Sequence, residues 1–118
     1  MDDCIFCRII AGESPANIVY FDELVTAFHD SRPMAPVHIL IVPNQHIQSV
    51  NQVESDDELV LGRLTTVARR LAGEHGLSRR GYRLIINTGP DAMQSVFHLH
   101  MHLIGGQHMP FHFRQGAG

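Results

Sequence analysis

The sequence predicts an α+β protein, a five-stranded antiparallel sheet packed by helices, and three observations lead there. Alternating or fully apolar runs recur at residues 17–21, 24–29, 38–42, 82–87 and 95–104. One amphipathic helix separates the third run from the fourth, and no internal repeat is present. With 118 residues, 44% apolar and 18% charged, the chain has enough apolar surface for one core. A single domain over 1–118 is expected, with a C-terminal tail over 106–118.

Each element has a local reason. Over 4–11, Ile5, Phe6, Ile9 and Ile10 share one face at helical spacing, and Gly12 stands where a helix stops. The runs 17–21 and 24–29 read as strands joined by the acidic turn Asp22-Glu23, a hairpin without glycine. Two prolines make 31–36 a loop. The almost unbroken apolar run 38–42, ending at Pro43, predicts a strand buried on both faces. Ser55-Asp56-Asp57-Glu58 has the capping-box pattern, so the main helix is expected to begin at Ser55. Its stripe is Leu61, Leu64, Val67, Ala68 and Leu71, and Gly76 ends it. A strand over 82–87, a loop over 88–93 containing Gly89-Pro90, and a long strand over 95–104 closed by Gly105-Gly106 complete the chain.

Composition excludes several functions. A net charge of −3 gives no general attraction to a nucleic-acid backbone, so any anionic ligand has to be held locally. All nine basic residues are arginine, which removes a P-loop lysine, Schiff-base chemistry and a lysine general base. The acidic start Met1-Asp2-Asp3 and the shortness of the apolar runs predict neither an export signal nor a membrane span. Cys4 and Cys7 are too few and too close to staple a secreted scaffold, which points to a reducing compartment and a soluble cytoplasmic protein.

Chemistry is left mainly to nine histidines. Residues 97–103 alternate strictly, so a strand would put His98, His100 and His102 on one outward face and Phe97, Leu99, Met101 and Leu103 in the core. Two chemistries fit such a face. Alternate imidazoles present nitrogen to a metal; equally, a neutral imidazole is a nucleophile toward phosphorus, with its neighbours donating hydrogen bonds to phosphoryl oxygens. At ~3.3 Å per residue the His98 and His102 backbones stand ~13 Å apart, which strains any single ion shared by all three. Spacing leaves both chemistries open. Cys4-x-x-Cys7 has zinc-ligand spacing but needs two further ligands, and free thiols are the plain alternative. Asp30, taken alone, reads as a solvated turn residue.

The run His98-Leu99-His100-Met101-His102-Leu103-Ile104 resembles the signature of the histidine triad (HIT) family. Asn87 with Gln94-Ser95-Val96, the start Cys4-Ile5-Phe6-Cys7-Arg8-Ile9-Ile10, the stretch Ala27-Phe28-His29-Asp30, and Val42-Pro43 with His46 are similar to its Hint-like nucleotide-binding branch. The resemblance runs over nearly the whole chain to Gly106. It implies a sheet continuous across a homodimer, with the helix from Ser55 and the strand from Tyr82 at the interface. It also implies hydrolysis or transfer on purine nucleoside phosphoramidates or related AMP conjugates. His100 would attack the α-phosphorus to form a nucleotidyl-histidine, with His102, Ser95 and His98 completing the catalytic set and Asn87 and Ser95 donating to the phosphoryl or leaving group. Asp30 would accept from both ribose hydroxyls, Ile5, Phe6, Ile9 and Phe28 would form the base slot, and His29 would be a further nucleotide-binding residue. Ser31 departs from the apolar residue expected beside it. Some bacterial members hold structural zinc on two cysteines and two histidines, here matching Cys4, Cys7, His46 and His98; the reaction itself would need no metal. His38 matches a structural position that bonds backbone. Phe111 or Phe113 of the tail would reach a partner's site. Dinucleoside polyphosphate cleavage, a non-catalytic zinc-stabilised nucleotide-binding module, and a metallohydrolase with its ion on His100 and His102 stand as alternatives.

Overall fold

The computed structural model describes residues 3–110; the tail residues Phe111, His112 and Phe113 lie outside that range. Helix α1 (Ile5–Ile10) leads into β1 (Ile18–Phe21), β2 (Val25–His29) and β3 (Val37–Pro43). Helix α2 (Glu58–Glu74), β4 (Tyr82–Ile86) and β5 (Met101–Gly105) follow. All neighbouring strands are antiparallel, in the order β1-β2-β3-β5-β4, so the last strand in sequence sits between the third and the fourth. The expected α+β architecture is present.

The β1–β2 hairpin turns without glycine because Asp22 replaces it. Its Oδ1 accepts from the Leu24 and Val25 backbone N–H groups at 2.7 and 2.8 Å. Its Oδ2 accepts from the Tyr20 hydroxyl and from Arg63 of α2, so one carboxylate shapes the turn and ties it to the helix.

Strand parity sorts the side chains onto two faces. Ala27, Ile39, Ile41, Met101 and Leu103 join Leu64, Val67 and Leu71 of α2 in the larger core, while Phe28, Leu40 and Val42 meet Phe6 and Ile9 of α1 in a smaller one. β3 is therefore buried on both sides, as its apolar run predicts. α2 closes where expected: Gly76 has φ +73°, and the Leu77 and Gly76 N–H groups bond Ala72 and Gly73 carbonyls in a Schellman arrangement.

Two elements differ from the sequence expectation. The capping box lies one residue earlier, with Glu54 and Asp57 exchanging bonds, and a 3₁₀ turn over Ser55–Asp57 precedes α2. The last strand begins at Met101 rather than at 95. The register pairs Met101 with Ile41, so Leu99 would face Pro43, which has no N–H to donate and ends the ladder. The Leu99 N–H instead reaches the Ile47 carbonyl at 2.7 Å. The chain bends over 95–100, and Phe97, expected in the core, is half exposed.

Candidate functional site

His98 and His100 lie in the segment that precedes β5, and His102 lies on β5 itself. They were expected on an outward face, yet His98, His100 and His102 are fully buried because α1 lies over them. The Phe6 ring meets His100 edge-on at 5.2 Å and His98 at 5.8 Å.

Their hydrogen bonds settle which nitrogen carries the proton. His100 Nδ1 lies 2.8 Å from the His98 carbonyl, which only accepts, so in the neutral ring Nδ1 holds the proton and Nε2 the lone pair. His98 Nε2 donates to the Pro43 carbonyl at 2.8 Å, which turns its Nδ1 lone pair toward the cysteines. The Met34 N–H donates to His38 Nδ1 at 3.0 Å, leaving the proton on His38 Nε2. That nitrogen lies 2.9 Å from His102 Nδ1 and 3.3 Å from Asp30 Oδ2. His102 thus accepts at Nδ1 and carries its proton on Nε2, which is buried with no hydrogen-bond partner. Burial, with His100 and His38 nearby, pushes His102 down to about 3, so the ring is neutral near pH 7.

A cleft of about 830 Å³ opens onto these rings. His100, His102 and Ser95 line one part of it. Ile5, Phe6, Ile9, Phe28, His29 and Asp30, all expected at a nucleotide, line it as well, so α1, the end of β2 and the 95–102 segment converge on one space. Asn87 is not among the lining residues; it follows the end of β4, half-buried. Several participants escape a sequence reading. Asn17, Arg32 and Leu40 also line the cleft. Gln94, buried, donates to the Gln48 and Val96 carbonyls and accepts from the Gly89 N–H, which fixes the segment bearing Ser95. His38 bonds backbone as expected, but its link to His102 depends on the β3–β5 register, where Leu40 faces His102.

Beside the cleft, Cys4, Cys7, His46 and His98 bring four donor atoms within 4.8 Å of one another. Cys4 Sγ and Cys7 Sγ stand 3.4 and 3.6 Å from His98 Nδ1, and Cys7 Sγ 3.3 Å from His46 Nδ1. Tetrahedral zinc with Zn–S of ~2.3 Å and Zn–N of ~2.0–2.1 Å separates sulfur from nitrogen by ~3.5 Å, so these residues fit such an ion. The His98 tautomer fits too, because its metal-facing nitrogen is the one left without a proton.

A family profile described as HIT domain matches residues 11–109. The chain belongs to the HIT family. This HIT protein is 51% identical over 106 residues to the purine nucleoside phosphoramidase of Escherichia coli (strain K12), covering 90% of this chain and 89% of the relative. Its fold superposes on the HIT family hydrolase of Legionella pneumophila with TM-score 0.91 and 44% identity, over 92% of this chain and 97% of that one. A zinc-bound histidine triad family protein of Mycobacterium smegmatis superposes with TM-score 0.81 and 30% identity, over 99% and 85% of the two chains. Among the described residues no helix is long and apolar enough to cross a membrane.

Proposed function

We propose that this HIT protein hydrolyses purine nucleoside phosphoramidates through a nucleotidyl-histidine intermediate on His100. The observation that carries the reading is the orphaned His102 Nε2–H, a buried donor beside His100 in a cleft of nucleotide size. An unsatisfied buried donor is costly, and a phosphoryl oxygen placed there satisfies it. The name of the Escherichia coli relative supports the substrate class.

In the first step the His100 Nε2 lone pair forms a bond to the α-phosphorus. The P–N bond to the amine breaks, and the amine leaves with that electron pair and takes a proton from solvent. In the second step water attacks phosphorus, the N–P pair returns to His100, one proton is released, and a nucleoside monophosphate remains. His102 donates to a non-bridging oxygen throughout. Ser95, which lines the cleft, adds a donor, Asp30 accepts from the ribose hydroxyls, and Ile5, Phe6, Ile9, Phe28 and His29 hold the base; Asn87, outside the lining, is given no role. His98 acts through its carbonyl, which orients His100. Zinc on Cys4, Cys7, His46 and His98 serves as a structural ion that fastens α1 to the sheet.

The reading extends to a single domain, in the cytoplasm, working as a homodimer. β4 is a sheet edge with Leu84 and Ile86 39% and 37% exposed, and Leu59 on α2 is 69% exposed, a surface suited to a second copy. The functional test is turnover of a fluorogenic adenosine phosphoramidate. His100→Asn is expected to lower kcat by about 10³-fold or more while AMP still binds; unaltered turnover refutes the assignment.

A further inference from the structure

His29 is the last residue of β2, and strand parity sets it on the face of the sheet that α2 covers. Ala27, two residues back, packs with Leu71 of α2 in the larger core, whereas Phe28 meets Phe6 of α1 on the opposite face. His29 nonetheless lines the nucleotide cleft. Its N–H donates to the Asn17 carbonyl at 3.1 Å, which fixes the backbone, but its exposed imidazole has no hydrogen-bond partner among the described residues. One ring holds it. His75 meets it edge-on, with ring centroids 6.0 Å apart and an interplanar angle of 79°.

His75 is itself anchored twice to one atom. It follows the last turn of α2, where its backbone N–H and its Nδ1–H donate to the Leu71 carbonyl at 3.0 and 2.9 Å. Leu71 is fully buried in the larger core, so the ring stands on a rigid base. His75 is not among the residues that line the cleft.

We infer that His75 is a positioning residue for base binding: it holds the His29 ring in the plane that packs against the nucleobase, which makes the end of α2 part of the base site. The inference rests on the nucleotide reading above. T-shaped ring pairs at this separation are favourable, and a ring already oriented has less freedom to lose when a base lands on it. Without His75 the His29 imidazole turns freely at the strand end, and the base has to order it. The effect falls on ligands that carry a base.

The test uses the full chain and NMR titration with two ligands, AMP and methyl riboside 5′-phosphate, which keeps the ribose and phosphate and has no base. His75→Asn keeps a donor for the Leu71 carbonyl and removes the ring; His75→Phe keeps a ring and removes the donor. His75→Asn is expected to weaken AMP about three- to tenfold, the range of one aromatic pair, and to leave the riboside phosphate within about twofold. His75→Phe is expected to bind AMP within about twofold of wild type. With an adenosine phosphoramidate, the loss in His75→Asn should appear in KM rather than in kcat. Equal weakening of both ligands marks a general loosening of the cleft and overturns the inference. AMP affinity that His75→Asn leaves in place, or that His75→Phe fails to keep, overturns it as well. Wild-type protein that binds AMP but does not cleave the phosphoramidate overturns the hydrolase reading alone, whereas protein that binds neither ligand overturns both.

Discussion

His38 Nε2 lies 2.9 Å from His102 Nδ1 across the β3–β5 pair, and the Met34 N–H fixes the far side of His38. One backbone amide thereby determines where two buried imidazoles keep their protons. His38 is a positioning residue, since it acts on the cleft through His102.

Replacing it should show that role. His38→Ala removes the partner that keeps the His102 proton on Nε2, and kcat/KM is expected to fall by roughly 10- to 100-fold, mostly in kcat. Nitrogen-15 NMR of the histidine rings should show His102 losing its single tautomer, a change that simple destabilisation would not produce. A retained tautomer with full activity would contradict the relay.

Stability should fall on acidification, and the sign follows from the buried rings. Burial lowers His102 to about 3, and burial, partly offset by the bond to Pro43, lowers His98 to about 4, against 6.5 for an ordinary histidine. Below about pH 6.5 the unfolded chain therefore binds protons that the folded chain refuses. Asp22 adds the same sign at lower pH. Its burial acts upward, but bonds from Tyr20, the Val25 and Leu24 backbone and Arg63 outweigh it and hold the carboxyl at about 2, against 3.8. The melting temperature is expected to be level above pH 7 and to drop steadily toward pH 4, with a shallower drop in His102→Gln. A melting temperature that rises on acidification would refute this.

Asp22 itself can be tested away from the cleft. Asp22→Ala removes two turn bonds and the tether to Arg63, and about 2 kcal/mol of stability is expected to go with them. Urea unfolding reads the loss directly, and turnover of the folded protein should remain at the wild-type level.

Removing the metal should separate structure from chemistry. Chelation, or Cys4→Ser, is expected to lower the melting temperature by about 5–10 °C. Protein that remains folded should still turn over substrate, because no step is assigned to the ion. Mass spectrometry under native conditions should find one zinc per chain in untreated protein. Complete loss of activity at a temperature where the fold persists would contradict a structural role.

Much of this was legible in the sequence because it is local. The apolar run of β3, the stripe from Leu64 to Leu71 and the Gly76 stop each depend on neighbours a few residues away. Nine of the cleft's lining residues were nameable in advance, but through the resemblance to the HIT family: by themselves Asp30 reads as a turn residue, and the histidine spacing leaves metal and phosphorus chemistry both open. What was hidden is non-local. β5 starts late because Pro43, on another strand, offers it no donor. The His38–His102 link needs a register that only the folded sheet supplies, and Gln94 looks like any polar loop residue until its three backbone partners are seen.

The most direct measurement is an acid-quenched reaction with an adenosine phosphoramidate, followed by intact-mass and peptide mass spectrometry. Wild-type protein should carry one AMP moiety on the ring of His100, and His100→Asn none. Steady turnover with no adduct at any quench time, or an adduct mapped to another residue, would contradict the account.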